Sequence, residues 1–188
     1  MQRNKIPKIL IIAGSDSGGG AGIQADIKAV TYFKGYAMTA ITAITSQNTK
    51  GVQSIFPLPI DHIESQINSV LEDLNPNVIK TGMLADTNVI EMITSKVGEH
   101  KLVVDPVMVA TSGDILVPED CISAIKEMLL PKSFLTTPNL YEAELLSGQK
   151  VNNTEEQIEA AFKILELGVK NVLVKGGHLT NELITDVL

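Results

Sequence analysis

Six short aliphatic runs alternate with stretches of helical periodicity along this chain, and this alternation restricts the fold more than any other feature of the sequence. Short runs rich in Val, Ile and Leu are typical of strands that are buried on both faces of a sheet. Strands that alternate with helices predict an α/β domain with a mostly parallel central sheet. The predicted strands are Lys8–Ala13, Ala37–Thr45, Val78–Lys80, Leu102–Val104, Phe134–Thr136 and Val172–Lys175.

Capping and stop residues mark the predicted helices between these runs. We expect Asp61 to cap the second helix. Thr154 and Gln157 fit a capping box at the start of the last helix, and Gly168 fits its C-terminal stop. The segment Gly51–Pro59 shows neither periodicity and is either a loop or an edge strand. The predicted helices are Ala21–Lys34, Asp61–Leu74, Thr87–Val97, Pro118–Leu130, a short helix after Asn139, and Glu155–Leu167.

Composition and charge restrict the possible partners. The chain has 188 residues, 44% hydrophobic and 20% charged, which indicates a globular protein, and we treat residues 1–188 as a single domain. A net charge of −7 argues against nucleic acid and anionic membranes, because an acidic surface repels both. The single cysteine, Cys121, rules out an internal disulfide, and we interpret it as a small core residue. We expect no signal peptide or membrane span and a cytoplasmic location.

The segment Gly14–Gly22 is the densest in glycine and lies between the first predicted strand and the first predicted helix. Such a turn brings bare backbone N–H groups and the positive end of a helix to one point, which suits an anionic or strongly polar small molecule. The alternative is a strand–glycine–helix turn that binds no ligand. The segment is not a Walker A loop, since no Gly-Lys-Ser or Gly-Lys-Thr closes it. It is not a dinucleotide fingerprint either, since Ile23 and Ala25 stand where the third glycine belongs.

A cluster of polar or special residues directly follows each of the six predicted strands. The carboxyl ends of parallel strands share one edge of a sheet, and ligands bind at that edge. We therefore expect the six clusters to converge on one ligand-binding edge. The clusters are Gly14–Gly22, Ser46–Thr49, Thr81–Met83, Asp105–Met108, Thr137–Asn139 together with Glu142, and Gly176–His178.

These clusters also carry a family resemblance. The stretch Gly14–Asp26, which reads Gly-Ser-Asp-Ser-Gly-Gly-Gly-Ala-Gly-Ile-Gln-Ala-Asp, resembles the opening of the hydroxymethylpyrimidine/phosphomethylpyrimidine kinases in the ribokinase-like superfamily. Further motifs match this family in the same order: Thr45–Thr49, Lys80–Ala85, Asp105–Met108, Ser112–Asp114, Thr137–Ala143 and Lys175–His178.

The resemblance implies a ribokinase-like three-layer α/β/α sandwich, whose C-terminal part is absent from this chain. It implies an enzyme of thiamine biosynthesis that uses ATP and Mg²⁺ to phosphorylate 4-amino-5-hydroxymethyl-2-methylpyrimidine and then the monophosphate. It also implies a homodimer, for which Gly51–Pro59 is the candidate interface. The alternatives are a pyridoxal or pyridoxine kinase, against which the family match of Gln47-Asn48-Thr49 argues, and a non-catalytic pyrimidine-binding protein.

The resemblance assigns four residues to the pyrimidine pocket. Gln47 offers both a donor and an acceptor to an aminopyrimidine edge, although a loop glutamine can equally cap backbone groups. Asp26 would hold the hydroxymethyl oxygen or a ring substituent, and its alternative is a solvated helical carboxylate. Met83 would form a soft apolar wall, a use that is compatible with filling the core. Gly14 would let the backbone approach the substrate closely.

A second set of residues is assigned to ATP and the metal. Asp105 would hold Mg²⁺ through water, and its alternative is an Asp-Pro turn. Asn139 and Glu142 would manage the metal and the phosphates, and they also fit an N-cap with a first-turn glutamate. Lys175 would meet the ATP phosphates, unless it only closes an edge strand. We interpret His178 as a neutral polar loop residue and not as a base.

The resemblance places no catalytic residue in this chain. Family members continue into a further strand and a Gly-Thr-Gly-Cys or Gly-Ala-Gly-Asp-like loop that opens a helix and stabilises the developing charge. Residues 179–188 contain no counterpart of that loop. We therefore predict that a chain of these residues alone binds the pyrimidine weakly and has no useful kinase activity.

Overall fold

The computed structural model describes residues 6–109, 117–177 and 184–188 of the protein. The predicted motif Ser112–Asp114 and His178 lie outside the described residues. The chain divides into two compact units. Unit 1 comprises residues 1–83 and 97–101, and unit 2 comprises residues 84–96 and 102–188.

Unit 1 contains four strands in the order β3-β2-β1-β4. The central strand β1 is parallel to β2 and to β4, whereas β3 is antiparallel to β2 at the edge. The three strands predicted in this part of the chain are confirmed, and each is longer than its apolar run. Of the two options for the Gly51 segment, the structure shows the edge strand. The strands are β1 (Lys8–Asp16), β2 (Tyr36–Asn48), β3 (Gly51–Pro57) and β4 (Val78–Thr81).

The core of unit 1 surrounds β1, whose four consecutive residues from Leu10 to Ala13 are each at most 1% exposed. Two helices belong to this unit, α1 (Gly22–Tyr32) and α2 (Ile60–Asp73). The helix α2 buries Ile63 and Ile67, which lie on one face because they are four residues apart. The prediction that Asp61 caps α2 is wrong: the extended Pro59 holds the N-cap position, and Asp61 lies in the first turn near the positive end of the helix.

The strand β5 (Lys101–Val104), which enters unit 2 at Leu102, pairs in parallel with β6 (Leu135–Thr136), and this confirms two more predicted strands. The predicted strand Val172–Lys175 forms only isolated bridges, one parallel from Val172 to Thr136 and one antiparallel from Val174 to Val187. Strands of unit 1 and of unit 2 are thus mostly parallel and separated by helices, which confirms the α/β class.

The helices of unit 2 are α3 (Thr87–Lys96), α4 (Glu119–Ala124), α5 (Leu140–Ser147) and α6 (Thr154–Leu165). The predicted helix Pro118–Leu130 changes its winding: α4 passes into a π-helical turn over Ile125–Leu129 and a 3₁₀ turn over Leu130–Lys132. Pro131 lies in that last turn and has no N–H to continue an α-helix. Pro118, the first residue of the predicted helix, is the N-cap of α4, which begins at Glu119.

Two further sequence predictions concern α6 and the cysteine. Asn153, and not Thr154, caps α6, because its side chain accepts a hydrogen bond from the N–H of Glu156. Gly168 adopts a positive φ of 93° just beyond the helix, which confirms the predicted stop.

Cys121 is 1% exposed within α4, which confirms it as a core residue, and burial raises the pKa of its thiol. Within the described ranges, no helix is both long and apolar enough to cross a lipid bilayer.

Candidate functional site

The glycine-rich turn of unit 1 is organised by Asp16, the last residue of β1, whose residue exposure is 6%. Its carboxylate accepts hydrogen bonds from the backbone N–H groups of Gly18 (2.7 Å), Gly20 (3.0 Å) and Ala21 (2.8 Å). Its carbonyl oxygen accepts a fourth from Gly19. Burial alone would raise the pKa of Asp16, but these N–H donors outweigh burial and hold the pKa below its ordinary value.

This arrangement corrects one expectation from the sequence. The N–H groups of Gly18, Gly19, Gly20 and Ala21 are not bare, since Asp16 already accepts from all of them. The carboxylate of Asp16 also lies at the start of α1, where negative charge is favourable. These four N–H groups therefore match the alternative stated from the sequence, a strand–glycine–helix turn that binds no ligand.

Two side chains brace this turn. Gln24 of α1 accepts a hydrogen bond from the N–H of Asp16 (2.8 Å) and donates one to the hydroxyl of Ser15 (2.7 Å). Gly22 has a φ of 56° and approaches the carbonyl oxygen of Gly14 so closely that a Cβ there would collide with it. Neither Gln24 nor Ser17, described next, was assigned a role from the sequence.

Ser17 joins the turn to Gln47 of β2. The Ser17 hydroxyl donates to the carbonyl oxygen of Gln47 (2.8 Å) and accepts from its N–H (2.7 Å). The cluster around Gln47 lies inside β2 rather than after it, because the strand continues to Asn48 to pair with β3. The side-chain oxygen of Gln47 accepts from Thr45 (3.2 Å), and among the residues described here its Nε2 group has no hydrogen-bond partner.

Gly14 and Met83 lie together in unit 1. A Cβ built on Gly14 would be 3.6 Å from the Met83 methyl carbon and 3.7 Å from the carbonyl oxygen of Ala43. Both distances are ordinary van der Waals contacts, so the space over Gly14 accommodates a methyl group. Within unit 1 the predicted cluster that begins at Gly14 therefore lies beside the Gln47 cluster, through Ser17, and beside Met83, through Gly14.

Asp26 is not a solvated helical carboxylate. Its Oδ2 lies 2.8 Å from Nζ of Lys80 on β4, and the two side chains are 23% and 20% exposed. Lys80 was not assigned a role from the sequence. The signal that identifies it is a lysine inside an otherwise apolar strand, since a charge that is largely buried requires a partner.

Unit 2 places Asn139 and Glu142 at the start of α5 in a complete capping box. Asn139 Oδ1 accepts from the N–H of Glu142 (2.9 Å), and Glu142 Oε2 accepts from the N–H of Asn139 (2.7 Å). The other oxygen of Glu142 accepts from the N–H of Met108 (3.4 Å). Glu142 is 2% exposed, and this burial raises its pKa to about 7, against the opposing effects of these N–H donors and of Lys175.

Asp105 and Lys175 form an ion pair in the same unit. Asp105 Oδ1 lies 3.1 Å from Lys175 Nζ and accepts a hydrogen bond from the Thr137 hydroxyl (3.3 Å). The backbone N–H of Lys175 donates to the carbonyl oxygen of Pro138. Unit 2 thus brings together the predicted residues that follow β5, those that follow β6, and Lys175.

The donor set of unit 2 suits a water-mediated magnesium ion better than a directly bound one. In the chain as far as it is described, no group of three or more His, Cys, Asp and Glu side chains could hold a metal ion. Asp105 fits a contact with hydrated Mg²⁺, because its side chain is 25% exposed and Mg²⁺ keeps several of its waters. Glu142 fits direct ligation poorly, since both of its oxygens accept backbone N–H groups.

An apolar cavity of about 380 Å³ lies elsewhere in unit 2, beside α6. Its walls include Ile158, Phe162 and Leu165 of α6. None of the predicted site residues lines this cavity, so it does not identify a substrate pocket.

Comparison with known proteins gives the family. A family model described as phosphomethylpyrimidine kinase matches residues 16–188, which is most of the chain. This chain belongs to the phosphomethylpyrimidine kinase family. The resemblance found in its motifs is therefore confirmed.

Two relatives show how much of a longer protein the chain spans. The hydroxymethylpyrimidine/phosphomethylpyrimidine kinase of Bacillus subtilis is 44% identical over 187 residues, covering 97% of this chain and 69% of that protein. The thiamine biosynthesis bifunctional protein ThiED of Geobacter sulfurreducens is 46% identical over 174 residues, covering 91% of this chain and 36% of that protein.

Solved structures agree in fold but differ in the substrate named. The phosphomethylpyrimidine kinase of Clostridium difficile matches with a TM-score of 0.88 and 42% identity, covering 97% of this chain and 80% of that chain. The pyridoxal kinase of Staphylococcus aureus in complex with AMP-PCP has the same TM-score of 0.88 with 37% identity, covering 96% of this chain and 67% of that chain. The ribokinase-like α/β fold is confirmed, and the backbone alone does not separate the two substrates.

Proposed function

We propose that this protein is an ATP-dependent kinase of thiamine biosynthesis that phosphorylates 4-amino-5-hydroxymethyl-2-methylpyrimidine and its monophosphate. The observation that carries this proposal is the family match over residues 16–188. It is supported by the Bacillus subtilis relative, 44% identical and named for these two kinase activities, and by the Geobacter sulfurreducens relative, 46% identical and named for thiamine biosynthesis. Use of ATP is supported by the neighbouring kinase whose structure contains AMP-PCP.

In this proposal unit 1 binds the pyrimidine. The Nε2 group of Gln47 donates to a ring nitrogen, and the Thr45 hydroxyl orients that side-chain amide by donating to its oxygen. The two bonds from Ser17 fix the Gln47 backbone. Met83 packs against the ring, Gly14 leaves space for it, and Asp26 accepts a hydrogen bond from a substituent. Ordered amide, apolar wall and carboxylate together suit a small, flat molecule with both polar and apolar edges.

Unit 2 supplies the residues for ATP and the metal in this proposal. Asp105 is the residue that would hold Mg²⁺ through water, and Lys175 would bind phosphate oxygens. The bound ion would neutralise charge on the transferring phosphoryl group. Asn139 and Glu142 keep their capping box, which fixes the turn that carries them beside Asp105 and Lys175. Phosphoryl transfer depends mainly on placement and charge compensation, so rigid positioning is the main task of these residues.

A pyridoxal kinase is the second candidate, because the Staphylococcus aureus pyridoxal kinase matches the fold with the same TM-score as the phosphomethylpyrimidine kinase. Sequence identity favours the pyrimidine, at 42% against 37%. Calorimetric titration of the protein with the hydroxymethylpyrimidine and with pyridoxal separates the two. We expect the pyrimidine to bind more tightly, and tighter binding of pyridoxal would overturn the proposal.

Gln47→Ala tests the pocket itself. Loss of the Gln47 amide leaves polar groups of the pyrimidine ring unpaired, so we expect pyrimidine binding to weaken by about 1–3 kcal/mol. Asn68→Ala, which removes an amide from α2, is the control and should bind as the wild type does. Equal affinities of Gln47→Ala and wild type in the calorimeter would remove Gln47 from the pocket.

We also propose a cytoplasmic homodimer that uses β3. All seven residues of this edge strand are exposed, and Val52, Ile55 and Phe56 among them are apolar. An exposed apolar edge strand is suited to covering by a second chain. Sedimentation of Phe56→Lys is the test: we expect a monomer where the wild type is a dimer, and an unchanged sedimentation coefficient would exclude this surface.

A further inference from the structure

Lys80 is an unusual residue for its position. Its neighbours on β4, Ile79 and Thr81, are 1% and 0% exposed, and the Lys80 side chain itself is only 20% exposed. A largely buried ion pair is often no more stabilising than apolar residues of similar size, because both charges lose solvent when they are buried. Stability alone therefore gives a weak reason for a charged residue in the middle of this strand.

The space that receives the ammonium group is provided by Gly82. A Cβ built on Gly82 would lie 3.4 Å from Lys80 Nζ and 2.9 Å from the Cβ of Ala13, so a side chain there would crowd both. The ammonium group thus lies beside the backbone of Gly82. Gly82 directly precedes Met83, one of the pocket residues of the proposed function.

The carboxylate of Asp26 is held on one side only. Its Oδ2 forms the 2.8 Å ion pair with Lys80, and no other protein group in the described ranges hydrogen-bonds its Oδ1. A charge-assisted hydrogen bond to one oxygen restricts rotation of the carboxylate. The side chain remains 23% exposed, so part of it is open to solvent and to a ligand.

We infer that Lys80 is a positioning residue: it holds Oδ2 of Asp26 so that Oδ1 accepts a hydrogen bond from an amino or hydroxyl group of the pyrimidine substrate. The inference rests on the proposed function and adds to it a residue that does not itself touch the substrate. Lys80 acts through Asp26, because its ammonium is engaged with that carboxylate.

A double-mutant cycle with calorimetric titration of the hydroxymethylpyrimidine tests this inference. We expect Lys80→Met to raise Kd about tenfold, since a freely rotating carboxylate binds the substrate less well, and Asp26→Asn to raise it at least as much. If Lys80 acts through Asp26, the double variant binds no more weakly than Asp26→Asn alone. Lys80→Arg keeps a donor for the carboxylate and should remain within about threefold of the wild type.

Lys150→Met is the matched control, because Lys150 pairs with Glu144 at a similar distance of 2.7 Å in unit 2 but is 81% exposed. It should bind the pyrimidine as the wild type does. Thermal unfolding of each variant confirms that the fold is kept. Wild-type Kd for Lys80→Met, or losses that add in the double variant, would overturn the inference. No binding by the wild type would instead refute the proposed function, so the two failures are distinguishable.

Discussion

The turn around Asp16 in unit 1 and the turn around Glu142 in unit 2 have similar hydrogen bonds, but the pKa values of the two carboxyl groups shift in opposite directions. Each places a buried carboxylate at the start of a helix, where it accepts backbone N–H groups. Asp16 accepts from three N–H groups and its pKa is lowered. Glu142 accepts from two, one of them at 3.4 Å, and burial raises its pKa to about 7. The balance between burial and the number and closeness of donors therefore decides the charge.

The largest expected effect is that of Asp16→Asn. An amide cannot replace an acceptor of three N–H groups, so we expect a loss of about 2–3 kcal/mol of unfolding free energy at neutral pH. Because the folded-state pKa of Asp16 is lowered, its stabilisation is present above the unfolded pKa and is lost as pH falls through the folded value. The difference between wild type and variant should therefore shrink in acid.

Urea denaturation between pH 3 and pH 7 measures this difference. Asp73→Asn, an exposed substitution at the end of α2, is the control and should follow the wild type. A gap between wild type and Asp16→Asn that stays constant over this range would show that the charge of Asp16 does not stabilise the turn.

The next largest effect distinguishes two glycines of the same turn. Gly22→Ala forces a side chain into a positive φ of 56° and against the carbonyl oxygen of Gly14, so we expect a loss of about 2 kcal/mol. Gly14→Ala meets only ordinary contacts and should change stability by less than about 0.5 kcal/mol. If Gly14 makes room for the substrate, Gly14→Ala nevertheless weakens pyrimidine binding. Thermal unfolding measures the stability of the two variants, and calorimetry measures pyrimidine binding by Gly14→Ala. Equal stabilities of Gly22→Ala and Gly14→Ala would contradict the expected difference between the two glycines.

The smallest effect comes from Glu142 and has the opposite sign to that of Asp16. Its folded-state pKa of about 7 lies above the ordinary value of 4.5, so the folded state binds more protons and stability falls as pH rises. Between pH 6 and pH 8 this amounts to about 1 kcal/mol. Glu142→Gln should remove this slope, whereas Glu159→Gln, an exposed change on α6, should retain it. Parallel profiles for wild type and Glu142→Gln would show that Glu142 does not titrate in this range.

Much of the fold was predictable from the sequence, because aliphatic runs report burial directly. The central strand β1 and the buried pair Ile63 and Ile67 of α2 follow from apolar spacing alone. Helix caps were less predictable, since neighbouring polar residues compete for one position: Asn153 and not Thr154 caps α6. The π-helical turn after α4 has no signature in periodicity, and only Pro131 marks the end of that helix.

The sequence predicted which residues belong to the candidate site, but not the hydrogen bonds and ion pairs that they form. The cap formed by Asn139 and Glu142 follows from their spacing of three and was expected as one of two roles. The occupation of the glycine-rich turn by Asp16 was not expected, because sequence does not reveal whether an N–H group already has an acceptor in its own chain. The pairing of Lys80 with Asp26 joins residues 54 positions apart, a distance that only tertiary structure brings together.

The buried position of Cys121 makes the reactivity of its thiol a measure of local opening of the fold. A reagent that alkylates thiols must wait for α4 to open before it can reach a side chain that is 1% exposed. The sequence contains one cysteine, so the rate of thiol labelling under native conditions measures one process. That process is the transient exposure of the interior of unit 2 around Cys121. The protein thus carries its own reporter of opening, and ligand-induced tightening of that unit can be followed without an added probe.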